Sequence, residues 1–338
     1  TRNMPPFWSI LYPNATAPWH PDGSQDSQYP SKTPANEGDS VLMYWDAGSN
    51  GWYWCTKPAG NARVFPQIST DPNAFDTSLR LNFIALSETP IGCQLPLSED
   101  GYEIASANDL DQIGTTCDAS ADYVFTVSSV NLSGGWTPRA FSGTLKGVEG
   151  RTTIENLTSN AGGLFTSLTD ATIENLTIRG ANASNSGAIG LITGVASGSV
   201  TLRNIMVDDS SVEGTGTSSG PVGGLIGHIN DPSAHLQIEA FTISATEVLN
   251  GTSFTGGVIG YIQEATSVSI VDLVIDANST AKGTFYVGGL IGENDEAFLT
   301  IDRARIDATI EGSGAYIGGL VGLYDANSAG ANISRSRV

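Results

Sequence analysis

Residues able to do chemistry are sparse in this sequence. Its three histidines are His20, His228 and His235. The last two stand seven apart across Pro232, a pattern of loop histidines rather than of a metal pair. Two acidic groups, Asp208-Asp209 and Glu293-Asn294-Asp295-Glu296, are candidates for the paired carboxylates that cleave polysaccharides. Such carboxylates must stand about 5–10 Å apart, and these two groups lie more than two repeat lengths apart. The expectation is a chain without a catalytic site. Calcium would need oxygen ligands such as those of Asp22-Gly23-Ser24-Gln25-Asp26 and Asp71-Pro72-Asn73-Ala74-Phe75-Asp76. Neither matches an EF-hand, and both read first as Asx turns. No cofactor is expected, with calcium as the alternative.

Trp52 and Trp54 are the candidates for glycan contacts, because an exposed indole stacks on a sugar face. Five of the six tryptophans fall in the first 60 residues, where their first reading is the core of a small domain. The three cysteines, Cys55, Cys93 and Cys117, form no CxxC motif, so a zinc or redox site is not expected. One disulfide and one free thiol is the simple arithmetic. Cys93–Cys117 would bracket Leu95 to Thr116, and Cys55–Cys93 stands as the alternative.

Thirty-five acidic residues against fifteen basic ones give a net charge of −20. Such a polyanion repels phosphate backbones and anionic membranes, which argues against nucleic-acid binding and membrane insertion. The charge suits solubility in a salty exterior. No apolar run reaches the roughly 18 residues of a membrane span. Thr1-Arg2-Asn3-Met4-Pro5 opens no signal peptide, so a secreted chain would have lost its leader.

The elements that must carry these residues are strands. Only four lysines occur, few for a chain with helical surfaces. Residues 1–98 are expected to form a Pro- and Trp-rich β domain or N-terminal cap. Within it Val41–Trp45 and Trp52–Cys55 flank an Asn-Gly turn, a hairpin signal, and Leu79–Leu86 alternates like a strand. The rest repeats. The motif Gly-Gly-Leu-Ile-Gly and its variants centre on Leu164, Leu191, Leu225, Val258, Leu290 and Leu320. The copy Ala188-Ile189-Gly190-Leu191-Ile192-Thr193 reads as lacking the first and last glycines. A frame of apolar-x-x-apolar-x-apolar follows at Ile173/Leu176/Ile178, Leu202/Ile205/Val207, Ile238/Phe241/Ile243, Ile270/Leu273/Ile275 and Ile301/Ala304/Ile306.

Both motifs keep a period near 32, and neither has helical spacing. A strand with two inward side chains cannot stand alone, but stacked repeats pair every strand with both neighbours. The expected fold is an all-β, right-handed parallel β-helix (β-solenoid) of about 30–34-residue coils, each of three short strands. Lead-in coils span 99–150 and regular repeats 151–338. The marker residues of the two motifs form two inward ladders. Asn156, Asn175 and Asn204 are expected at one corner as an amide ladder. Eight Asn-x-Ser/Thr sequons occur, at Asn14, Asn131, Asn156, Asn175, Asn182, Asn250, Asn278 and Asn332. Loop sites, notably Asn182, Asn250 and Asn278, are the ones open to glycosylation. No Thr row of the ice-binding kind is present.

The Gly-Gly-Leu-Ile-Gly motif, followed by an Ile-x-Asn-Leu-type strand, resembles the GLUG-motif repeats of bacterial surface proteins and adhesins. Tyr102–Leu110 and Phe141-Ser142-Gly143-Thr144-Leu145-Lys146-Gly147 are similar to the segments that precede such repeats. The resemblance covers residues 101–338 and implies an extracellular or cell-surface solenoid, without catalysis, used in adhesion or as a fibre stalk. The alternative is a carbohydrate-binding or polysaccharide-cleaving β-helix protein. Asn332–Val338 repeats the frame of Ile301–Ile306 and stops. Arg335 then falls over Arg303 and Arg337 over Arg305, a basic end expected to continue in a longer chain or to dock on a second copy as a filament.

Overall fold

A computed structural model of the chain describes residues 93–338 apart from 217, 218, 251, 252, 326 and 328. Before residue 93 it describes the backbone of four strands. The chain divides into two units, Thr1–Pro90 and Ile91–Val338. In the first, Trp8–Ile10, Val41–Asp46, Gly51–Cys55 and Gln67–Ser69 form an antiparallel sheet in that order. The central hairpin pairs Leu42 with Cys55 and Asp46 with Gly51. The strand expected over Leu79–Leu86 and the two candidate calcium loops lie outside the described residues.

The second unit is a β-solenoid. It opens with the hairpin Leu97–Ser98 and Gly101–Ile104, then a single-turn helix, Ala107–Leu110. Ser106 caps that helix by accepting from the Asp109 N–H. From Asp122 onward each strand pairs in parallel with its equivalents one coil away. The coils build a long sheet of twelve strands, a short sheet of six, a glycine sheet of four and a return sheet of seven. From Ser199 each coil runs long, short, glycine, return: Ser199–Asp208, Ser211–Gly214, Val222–Gly223, Ile226–Asn230. These coils have four strand segments, not the expected three. The Gly-Gly motif folds as a tight turn between a two-residue strand and the return strand, rather than lying within one strand.

Close backbone approach explains the motif. A Cβ on Gly256 would stand 1.9 Å from the Ile259 carbonyl oxygen across that turn, and one on Gly257 2.1 Å from the Gly289 oxygen of the next coil. No side chain fits at either place. The atypical copy is also clarified. Pairing of Ile189 with Val222 and of Thr193 with Ile226 aligns Gly190 and Gly194 with the first and last motif glycines. What that copy lacks is the middle glycine, whose place Leu191 takes.

Both inward ladders form. Ile173, Leu202, Ile238, Ile270 and Ile301 pair in register at steps of 29, 36, 32 and 31 residues, and all are fully buried. In the second ladder Ile192, not the expected Leu191, stands in register with Leu164 and Leu225. Leu164, Ile192, Leu225, Val258 and Leu290 are fully buried, and Leu320, in the last coil, is partly buried. Each such side chain contributes about 1.5–3 kcal/mol by leaving water. The spacing of two residues inside the first gap of the frame has a backbone cause. Asn175, Asn204, Ala240, Asp272, Arg303 and Arg335 all adopt left-handed φ, from 48° to 59°. This bend re-phases the long strand, so that Ile173 and Leu176 both face inward although three residues apart.

Asn204 Nδ2 donates to Asn175 Oδ1 across one coil at 2.8 Å, and Arg151 Nε donates to Asn204 Oδ1 at 3.1 Å. Asn156 does not join them. Glu155 pairs with Arg179, which places Asn156 over Gly180 in a second left-handed column, at the end of the long strand. The amide ladder therefore has two rungs, not three.

Candidate functional site

The residue before each glycine-sheet strand occupies one column. Pairing of Val222, Thr255, Val287 and Ile317 across successive coils places Pro221, Phe254, Tyr286 and Tyr316 one above another. Adjacent strands lie about 4.8 Å apart, a spacing at which rings stack. Phe254 and Tyr286 stack with centroids 5.1 Å apart, and Tyr286 and Tyr316 at 5.2 Å and nearly parallel. Tyr286 and Tyr316 adopt φ of 51° and 65°, a conformation costing about 1–3 kcal/mol for a bulky residue that the stack must offset.

A second column stands beside it on the return sheet, formed by Val195, His228, Tyr261, Glu293 and Leu323. His228 stacks on Tyr261 at 5.1 Å, and Tyr261 on Phe254 at 4.3 Å, so the columns join in one aromatic strip. Phe285 and Tyr316, 44% and 53% exposed, bring it to the surface.

Where the next aromatic rung would follow Tyr261, the sequence supplies Glu293. Its side chain is buried and hydrogen-bonded to Asp295. Tyr261 Oη donates to Asp295 Oδ2 at 2.5 Å. Burial first, then the Asp295 hydrogen bond and the Asp295 and Asp325 charges, push the Glu293 carboxyl up to about 8. Glu293 therefore holds its proton at neutral pH. Burial, then the contact with Asp295, raises the Tyr261 hydroxyl far above the usual tyrosine range. Burial holds His228 below the usual imidazole range, opposed by a hydrogen bond with Gln263.

Two carboxyls in direct hydrogen bond leave no room for the glycosidic oxygen or water that separated carboxylates flank in glycosidases. The strip is suited to contact instead, through the partly exposed rings of Phe285 and Tyr316. Among the described residues, no three or more His, Cys, Asp or Glu side chains are placed to hold a metal ion.

The other residues singled out in the sequence are dispersed. Asp208 pairs with Arg179 at 3.1 Å on the long strand, away from Glu293 on the return sheet. His235 lies on the long sheet against Ser267, on a different sheet from His228. Cys93 and Cys117 form a disulfide at the entrance of the solenoid. Trp52 and Trp54 lie on the third strand of the first unit, with Trp45 as the backbone partner of Trp52 and Met43 that of Trp54; their side chains lie outside what is described. Arg305 pairs in register with Arg337, and Arg303 and Arg335 share the left-handed bend. This end is not bare positive charge. Asp272 and Asp302 pair with Arg303, Asp302 also with Arg335, and Asp307 with Arg305 and Arg337. The aromatic column escaped the sequence reading, although its signal was present: Phe254, Tyr286 and Tyr316 each stand two residues before the first glycine of a motif.

No family model matches the chain, and its likeness to GLUG-motif repeats rests on the quoted motifs alone. The chain is 27% identical over 232 residues to halomucin of Haloquadratum walsbyi (strain DSM 16790 / HBSQ001). That match spans 62% of this chain and 2% of halomucin, so the chain corresponds to a small part of that relative's length. Among solved structures it is similar to a Bacteroides ovatus protein provisionally named an immunoglobulin A1 protease. The TM-score is 0.55 at 17% identity, covering 70% of this chain and 74% of that one. At that identity the likeness establishes the β-solenoid fold.

Proposed function

We propose that this chain is a structural, adhesive solenoid of an extracellular or cell-surface protein, acting as a rigid spacer within a fibre or stalk and without catalysis. The observation that carries the reading is the unbroken stack of coils around two buried apolar ladders, which makes a rod rather than a cleft. The composition supports an exterior setting, since a net charge of −20 with few lysines suits high salt. A relative that carries the name of a mucin supports it as well. Attachment to a second copy or to further repeats through the Arg303, Arg305, Arg335 and Arg337 end belongs to the same reading. Its test is fractionation of the source cells with an antibody to the chain, and electron microscopy of the native material. Surface or secreted rods are expected; a cytosolic globular protein would overturn it.

One observation favours a second reading, carbohydrate binding: Phe285 and Tyr316 expose aromatic rings at the end of the strip, on which a sugar face can stack. A glycan array on the purified chain, with a reducing-sugar assay alongside, separates the two. Binding lost on Tyr316→Ala and Phe285→Ala would favour the strip, and loss on Trp52→Ala or Trp54→Ala would favour the first unit. Release of reducing ends would favour an enzyme over both.

A further inference from the structure

Four of the eight sequons are gathered on one edge by the fold, whereas Asn250 ends a short-sheet strand and Asn332 lies within a long-sheet strand. Asn131 pairs with Glu155 at the end of a long-sheet strand, and Glu155 pairs with Arg179 in the next coil. Asn156 follows at the same corner, its N–H bonded to the Arg179 carbonyl. Asn182 begins a short-sheet strand just past that corner, beside Thr158. Asn278 lies in the turn between Ile275, which ends a long strand, and Thr280, which starts a short one. All four therefore stand on one edge, where the long sheet hands the chain to the short sheet, and all four are exposed.

Asn175 is the contrast. It sits mid-strand in the left-handed bend, its Oδ1 accepts from Asn204, and the hydroxyl residue of its sequon, Thr177, is buried. No sequon falls on a strand of the glycine or return sheets, which carry the aromatic strip.

We infer that this edge is a glycosylated margin, with Asn131, Asn156, Asn182 and Asn278 as acceptors for an oligosaccharide carried on a diphosphate donor. In the transfer Asn Nδ2 forms a bond to the anomeric carbon. The anomeric C–O bond to the diphosphate breaks, the diphosphate carrier leaves with the electron pair, and the amide gives up one proton. The product is a rod with sugar along one edge and its aromatic strip uncovered. The inference rests on the extracellular reading above.

The test is glycopeptide mapping by mass spectrometry of the chain isolated from its natural source, with export scored separately by fractionation. Sugar is expected on Asn278 and on at least one of Asn131, Asn156 and Asn182, with Asn175 bare. In the source strain, Asn278→Gln should lose one glycan mass and Asn175→Gln none. An exported chain bare at all four positions would overturn this inference and leave the extracellular reading standing, as would Asn175 occupied as often as Asn278. A chain confined to the cytosol and bare would overturn both.

Discussion

Glu293 is the residue whose environment departs furthest from that of a free side chain. A free glutamate titrates near 4.5, and here the carboxyl is raised to about 8. Between those values the folded chain holds a proton that the unfolded chain has released. The stabilisation is therefore full below the unfolded value and is lost as pH rises through about 8. Its upper bound is on the order of 5 kcal/mol. Thermal melts at pH 5 and pH 9 should show a lower Tm at pH 9, and Glu293→Gln should remove most of that difference. An equal drop in the variant would place the titrating group elsewhere. The acids themselves were readable as Glu293-Asn294-Asp295-Glu296, but their partner was not. Tyr261 lies about one period upstream and becomes a neighbour only through parallel register, which no local spacing reveals.

At the scale of the coil, most of the repeat was legible because burial acts on residues at a fixed period. Both inward ladders follow from apolar positions, except that Ile192 rather than Leu191 is the second rung of the glycine-motif ladder, a shift hidden by the missing middle glycine. The four-segment path was not legible, because a two-residue strand such as Thr255–Gly256 has too few residues to show alternation. The left-handed bend was hidden because Asn, Ala, Asp and Arg all fill it, where glycine would have announced it. Leu225→Ala and Ile270→Ala should each cost about 2–5 kcal/mol, the loss of burial adding to an unfilled cavity. Thr266→Ala removes one exposed hydrogen bond to the Pro232 carbonyl and should cost about 1 kcal/mol or less. Denaturant midpoints of the three variants check this; equal values would mean that the two ladder residues do not face the core.

The whole chain carries a net charge of −20, and the ion pairs of its solenoid, such as Lys282–Glu311 and Arg203–Glu239, are largely exposed. Exposed pairs are worth about 0–1 kcal/mol each, so screening them removes little, whereas screening the general repulsion removes more. Tm should therefore rise as sodium chloride goes from about 0.05 M to about 1 M, over which the Debye length shrinks to about 3 Å. A falling Tm would show that the ion pairs dominate. The parallel stacking described above also has a mechanical meaning. Each coil bonds only to the coil on either side, so a chain pulled from its two ends cannot share the load across the stack. It should come apart one coil at a time, each release of roughly 32 residues lengthening the tether by about 110 Å. Single-molecule traces should show a regular sawtooth at that interval, and one large rip would mean that the coils yield together. A surface carrying such rods would be tethered by shock absorbers that lengthen in steps and shorten again as coils re-form.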